Sequence, residues 1–252
     1  MGDDAVSSEN PAATENGLSS VNGLGTANGL GTANGLSSAN GLMTSAAGRT
    51  QVTYIVRCAL PAGHSITKQD QYGTSYTFQG LLGMAPEWET GACGDTCQED
   101  VSSCLLAHIN TAGIHVPLWI VSPNAAVGWG QDPNYPNQEA AFFGNVFNLS
   151  AHGTDTSKGN PFYYCAGAKI VINPPQGRLG SNQTSPPYTN PLGAKYQSCN
   201  PTCTVADVNP GDGWKACSGW NHPVTVWRQN TSSTTQTDTA PSGGMGKGYH
   251  WH

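Results

Sequence analysis

Five side chains of the kinds that move protons or hold metals stand out: Glu89, Glu99, His108, His115 and Glu139. His108 and His115 bracket a turn between a helix-like and a strand-like stretch. With Glu139 they could make a metal or acid–base cluster, since imidazole titrates near neutrality. The plainer account of each histidine is a hydrogen-bonded residue at the edge of a core. Glu87, Glu89 and Glu99 surround Trp88 and the Cys93 loop. Paired carboxylates suit glycoside hydrolysis, where one acid must be protonated and the other ionised. Nothing in the spacing fixes their separation, and ordinary solvated loop acids are the plainer account. His250 and His252 could chelate a transition metal, but on a Ser/Gly-rich tail such binding is adventitious. His64 and His222 each sit beside a proline turn and read as structural. No nucleophile elbow, phosphate loop, zinc-protease helix or dinucleotide fingerprint occurs, and the pattern calls for no cofactor.

The aromatic residues suggest a second chemistry. Trp129, Tyr135, Trp214 and Trp220, with Trp119 and Trp227, lie in or beside Gly/Asn/Asp-rich segments. Flat rings next to Asp132, Asn134, Asn137, Asp212 and Asn221 are what a sugar-binding surface needs. The ring faces stack on C–H groups, and the amides and carboxylates meet hydroxyls. The rival account is that these rings fill a core short of aliphatic side chains.

Eight cysteines (Cys58, Cys93, Cys97, Cys104, Cys165, Cys199, Cys203 and Cys217) make an even set, read as up to four disulfides in an oxidising compartment. Zinc is a third reading beside disulfides and free thiols, but Cys93-x3-Cys97 and Cys199-x3-Cys203 depart from the commoner two-residue knuckle spacing. Only 10% of the 252 residues are charged, against about 25% in an average soluble protein. The surface must then be built from Ser, Thr, Asn, Gln and Gly, a composition common among exported proteins. A net charge of −6 with ten scattered basic residues excludes a nucleic-acid partner. No apolar run reaches the ~18–20 residues of a bilayer span, and residues 1–15 read as the polar start of a mature exported chain.

The elements that must position these groups follow in order. Residues 1–15 form a disordered leader. Residues 16–45 hold five Asn-Gly-Leu hexads starting at Asn16, Asn22, Asn28, Asn34 and Asn40. They are too few to stack into a solenoid and too glycine-rich for a helix, so they read as a spacer whose leucines dock along the main domain or between copies. Residues 46–229 form the Cys-rich domain. Val52, Ile55, Val56, Ala59 and Leu60 recur at helical spacing, which predicts a helix over about Ala46–Leu60 ended by Pro61; the β-formers Val52, Thr53, Tyr54, Ile55 and Val56 make a strand the rival. Ser65–Gln71 and Thr74–Gln79 predict a hairpin. A second helix spans Cys97–Asn110, capped by Asp95 or Thr96, with Cys97, Val101, Cys104, Leu105 and His108 on one stripe. Cys58 and Cys104 lie on the two helical stripes that would face each other, which predicts a Cys58–Cys104 disulfide. Ile114–Val121, Glu139–Phe147, Phe162–Cys165, Lys169–Ile172 and His222–Arg228 are the strand candidates, and Cys199–Cys217 reads as a polar loop. Residues 230–252 form a flexible Ser/Thr/Gly tail. The fold class is α+β: a small, loop-rich, disulfide-stapled domain with two short helices and a mainly antiparallel sheet, behind a hexad-repeat leader.

The hexads leading into GRTQVTYIVRCALPAGHSI, then SSCLLAHIN, then EAAFFGNVF and DGWKACSGWNHPVTVW, resemble a group of uncharacterised exported, lipoprotein-like proteins of myxobacteria. The resemblance covers most of residues 16–228. It implies a secreted or cell-surface location and this architecture, and it carries no catalytic residue. The lipobox cysteine is missing here, which speaks against a lipid anchor. The expected function is binding of an extracellular glycan or cell-envelope component. The alternatives are an extracellular polymer-acting enzyme, hydrolytic or metal-dependent, and a structural subunit that self-associates through its hexads.

Overall fold

The first helix, α1 (Ala46–Ala59), starts where Ser45 adopts an extended backbone and its hydroxyl accepts the Gly48 N–H. It stops at Leu60, where Pro61 cannot continue the helical bonding. Val52, Ile55, Val56, Cys58 and Ala59 are its buried stripe, one residue short of the predicted helix. The computed structural model describes residues 36, 41–108, 118–130, 132–147, 162–166, 195–198, 203–205, 213–217, 219–228 and 249–251.

Leu36 and Leu42 of the last two hexads are buried, as is Met43, in the cluster that holds α1. The first three hexads lie outside the described residues. A 3-10 turn, Gly41–Thr44, carries Leu42 against the first turn of α1. A Cβ on Gly48 would land on the Leu42 carbonyl oxygen. In an exposed helix, Gly→Ala gains up to about 1 kcal/mol. Here Gly48→Ala is expected to lose about 1–3 kcal/mol, because backbone must shift. A thermal melt checks this, and a raised midpoint would refute it.

Strands β1 (Ser65–Gln69) and β2 (Ser75–Gln79) pair antiparallel as a separate hairpin. Ile66 and Phe78 turn inward to the same core, and Arg49 of α1 stacks over the Tyr76 ring at 4.8 Å. The second helix, α2 (Asp95–His108), begins two residues before its predicted start. Every residue from Cys97 to His108 is buried. A helix enclosed all round must satisfy its polar side chains internally. Asn145 Nδ2 donates to Gln98 Oε1 at 2.9 Å, and Ser102 Oγ accepts from Val146 N–H at 2.9 Å.

The main sheet runs β10-β3-β9-β4-β5-β6. Its strands are β3 (Leu118–Val121), β4 (Asn137–Gly144), β5 (Phe162–Ala166), β6 (Lys195–Ser198), β9 (Val224–Arg228) and β10 (Tyr249–Trp251). All neighbours pair antiparallel except β5 and β6, which are parallel. The alternation of a strand sorts side chains to two faces. Leu118, Ile120, Ala140, Phe142, Val224 and Val226 join the helices in one core. Trp119, Val121, Ala141, Phe143 and Trp227 face the other way. Over that outer face lies a hairpin of β7 (Cys203–Val205) and β8 (Trp214–Cys217), closed by the Cys203–Cys217 disulfide.

The α+β class, the two helices and the mainly antiparallel sheet are present. Three expectations change. The Cys199–Cys217 stretch holds a hairpin rather than a polar loop. The end of the tail is a sheet strand, with His250 opposite Trp119. Strand β4 begins and ends earlier than the predicted Glu139–Phe147. The predicted Lys169–Ile172 strand lies outside the described residues. The expected Cys58–Cys104 disulfide is formed, together with Cys93–Cys97. Cys165 sits on β5, and Cys199 is outside the described residues. No helix among them is long and apolar enough to cross a membrane, and three disulfides are compatible with an extracellular, oxidising compartment.

Candidate functional site

The outer sheet face gathers five of the seven tryptophans. Trp119 on β3 and Trp227 on β9 are direct cross-strand partners, and such pairs share a face. Trp119 lies 6.3 Å from Tyr135, ring centre to ring centre, and its Nε1–H donates to the Gly130 carbonyl at 2.8 Å. Trp129 is half-buried against this group. Next along the face, Phe143 and Tyr163 stack at 5.5 Å, and half-buried Trp214 packs with buried Trp220. Gly213 delivers Trp214 to the sheet. Its φ of 129° and the closeness of the Thr225 hydroxyl and the Val121 methyl leave no room for a side chain. The Trp214 backbone N–H then donates to Thr225 Oγ1 at 3.0 Å.

Two indole donors on this face stand out. Nε1 of Trp214 and Nε1 of Trp227 are both buried and have no hydrogen-bond partner among the described residues. A buried donor left unmade costs about 1–3 kcal/mol, and both atoms are closed to solvent, so this face carries a cost that its packing must offset.

A second constellation joins the other side of α2 to the approach of β9. Asp100 is 2% exposed, and its Oδ1 accepts from Nδ1–H of half-buried His222 at 3.1 Å. Glu99 Oε2 accepts from the Asn221 N–H at 3.3 Å. Burial pushes the Asp100 carboxyl above its usual range, opposed by its bonds to His222 and Asn124 and reinforced by Glu87. The bond to Asp100 raises His222, with burial opposing it.

Both groups hold protons more tightly in the fold than in the open chain, so alkali weakens the fold. The His222 contribution is fully present below its ordinary value of 6.5 and is lost as pH rises through the higher folded value. Melting temperature is therefore expected to decline from pH 6 towards pH 9. His222→Gln should flatten that decline and lower stability at pH 6 by about 1–2 kcal/mol. An unchanged slope in the variant would rule out this pair as its source.

Of the five side chains first singled out, the four that are described, Glu89, Glu99, His108 and Glu139, each have a different partner. Glu89 is on a 3-10 turn, Pro86–Glu89, where its carboxylate meets exposed His64 at 3.0 Å. Glu99 is buried in the α2 contact just described. His108 Nδ1 lies 2.6 Å from the Cys104 carbonyl, with its ring beside Tyr54. Glu139 is paired with Arg228 at 3.3 Å. His115 and His252 lie outside the described residues. Of the expected binding residues, Tyr135 and Trp220 belong to the core at 0% and 3% exposure, so neither presents an open ring. Trp129 and Trp214 keep part of theirs. Spacing missed Asp100–His222, because its partners are 122 residues apart, and it missed Trp227 as a donor. The one advance signal for His222 is the Asn-His-Pro step before a strand. No protein-family model, curated protein or solved structure matches the chain.

Proposed function

We propose that the chain is an exported binding protein for a neutral, hydroxyl-rich ligand of the glycan or cell-envelope class, taken by the outer aromatic face of the sheet. The observation that carries this reading is the pair of half-buried rings, Trp129 and Trp214, on this face, which offer flat surfaces for C–H stacking on a sugar. The low charge density and the disulfides suit the same setting, as does the resemblance to exported myxobacterial proteins.

The test is intrinsic tryptophan fluorescence titrated with neutral oligosaccharides, alongside co-sedimentation with insoluble glycans. Trp129→Ala and Trp214→Ala remove the part-exposed ring faces. Each is expected to weaken binding about tenfold, the loss of one stacking contact of ~1.4 kcal/mol. Absence of glycan binding, or full affinity in both variants, would refute the reading.

An extracellular enzyme is the second reading, favoured by the Asp100–His222 pair. A buried carboxylate that holds imidazole Nδ1 leaves Nε2 as the nitrogen offered to a substrate, the arrangement of a general base. Hydrolysis of an envelope polymer that His222→Gln abolishes would favour it over binding alone.

A further inference from the structure

We propose that Cys58, Cys104 and His108 form a reducible metal site: when a dithiol opens the Cys58–Cys104 disulfide, the two thiolates and the imidazole bind one zinc ion between α1 and α2. These three residues offer one ligand atom each, all within 4.8 Å of one another, and they are the one such group among the described residues. No ion is present at this site.

The helices set the geometry. Cys104 and His108 are four residues apart on α2 and so lie one above the other on a single face. Cys58 reaches the same point from α1, and the two cysteines are bonded in the oxidised chain. His108 Nδ1 is 3.9 Å from Cys104 Sγ. Zinc bonds of about 2.3 Å to sulfur and about 2.0–2.1 Å to nitrogen place tetrahedral ligands roughly 3.5–3.8 Å apart. The sulfurs must therefore separate on reduction, while the histidine is already near its place. Nδ1 is therefore the ligating nitrogen. In the oxidised chain it meets the Cys104 carbonyl at 2.6 Å, and ligation exchanges that contact for the metal and leaves the ring proton on Nε2. All three residues are buried, and a water-poor site strengthens the attraction between thiolates and a cation.

The chemistry balances. The protein disulfide gains two electrons and two protons and becomes two thiols, while the dithiol becomes a disulfide. Zinc then displaces the two thiol protons to solvent. Oxidised or zinc-loaded, α1 stays clamped to α2, so the site lets the core survive a change of redox environment.

The experiment uses the full chain, reduced with a phosphine under argon and titrated with cobalt(II), followed by zinc. Thiolate–cobalt absorbance reports binding through sulfur. Reduced wild type is expected to take up one more cobalt ion than reduced Cys58→Ser/Cys104→Ser. His108→Gln should weaken that extra site by about tenfold or more, and the oxidised chain should show no thiolate–cobalt band. Equal uptake by wild type and the double serine variant would overturn the proposal, because the remaining cysteines would then account for all the metal. If the serine variant fails to fold, His108→Gln decides, since it keeps both cysteines: an unchanged affinity and spectrum would overturn the proposal.

Discussion

Replacing Cys58 and Cys104 together by alanine is expected to remove about 4 kcal/mol of stability, one of the two largest effects that the structure supports. The bridge spans a sequence separation of 46 residues. Chain-entropy reasoning gives a loop of that length about 4 kcal/mol, through restriction of the unfolded chain. The packing adds to this. Both cysteines are 0% exposed, so their loss leaves unfilled volume between α1 and α2. Cys93→Ala/Cys97→Ala is the internal comparison, because its bridge closes a separation of only 4 residues. The same reasoning gives that shorter loop about 2 kcal/mol. Denaturant unfolding of both variants, with slopes compared to detect a more compact unfolded state, measures the difference. Equal losses would mean that loop length is not what makes the Cys58–Cys104 bridge valuable.

That bridge was legible in the sequence because each cysteine sits on a helix whose apolar stripe can be counted. Val52, Ile55, Val56 and Ala59 fix the face of α1, and Cys58 lies on its flank. The reading succeeded where local periodicity carried the information. It failed where long-range pairing decided. Tyr249–Trp251 looks like the end of a polar tail, yet it is a strand beside β3, more than a hundred residues earlier. Nothing local marks an edge strand of three residues. The α2 helix shows a different limit. Gln98, Glu99 and Asp100 suit the positive end of the helix dipole by their place in its first turn, but they are buried and bonded to loops from β4 and before β9. The aromatic residues combine both accounts given to them. Trp88, Tyr135 and Trp220 fill the core, as expected of a chain with few aliphatics. Trp214 and Trp227 fill it while leaving a donor unmet, and only side-chain placement reveals that.

The other large effect is expected at the end of the sheet. Arg228 Nη1 donates to Glu139 Oε1 at 3.3 Å, with both side chains only 6% exposed. Arg228 closes β9 opposite Asn137, and Glu139 occupies the irregular step in β4 between Gln138 and Ala140. That extra residue is what brings a carboxylate to the guanidinium. Two ions so far from water have each lost several kcal/mol of hydration, which their mutual attraction roughly restores. Removing one is therefore much worse than removing both. Glu139→Leu or Arg228→Leu alone should cost about 3–5 kcal/mol, since each strands the opposite charge in the interior. The double variant should return to within about 1–2 kcal/mol of wild type, or exceed it if the leucines pack well. A double-mutant cycle from urea midpoints gives the coupling directly. If the double variant loses as much as the two single variants combined, the ion pair is not a self-contained unit, and the sheet edge depends on each residue separately.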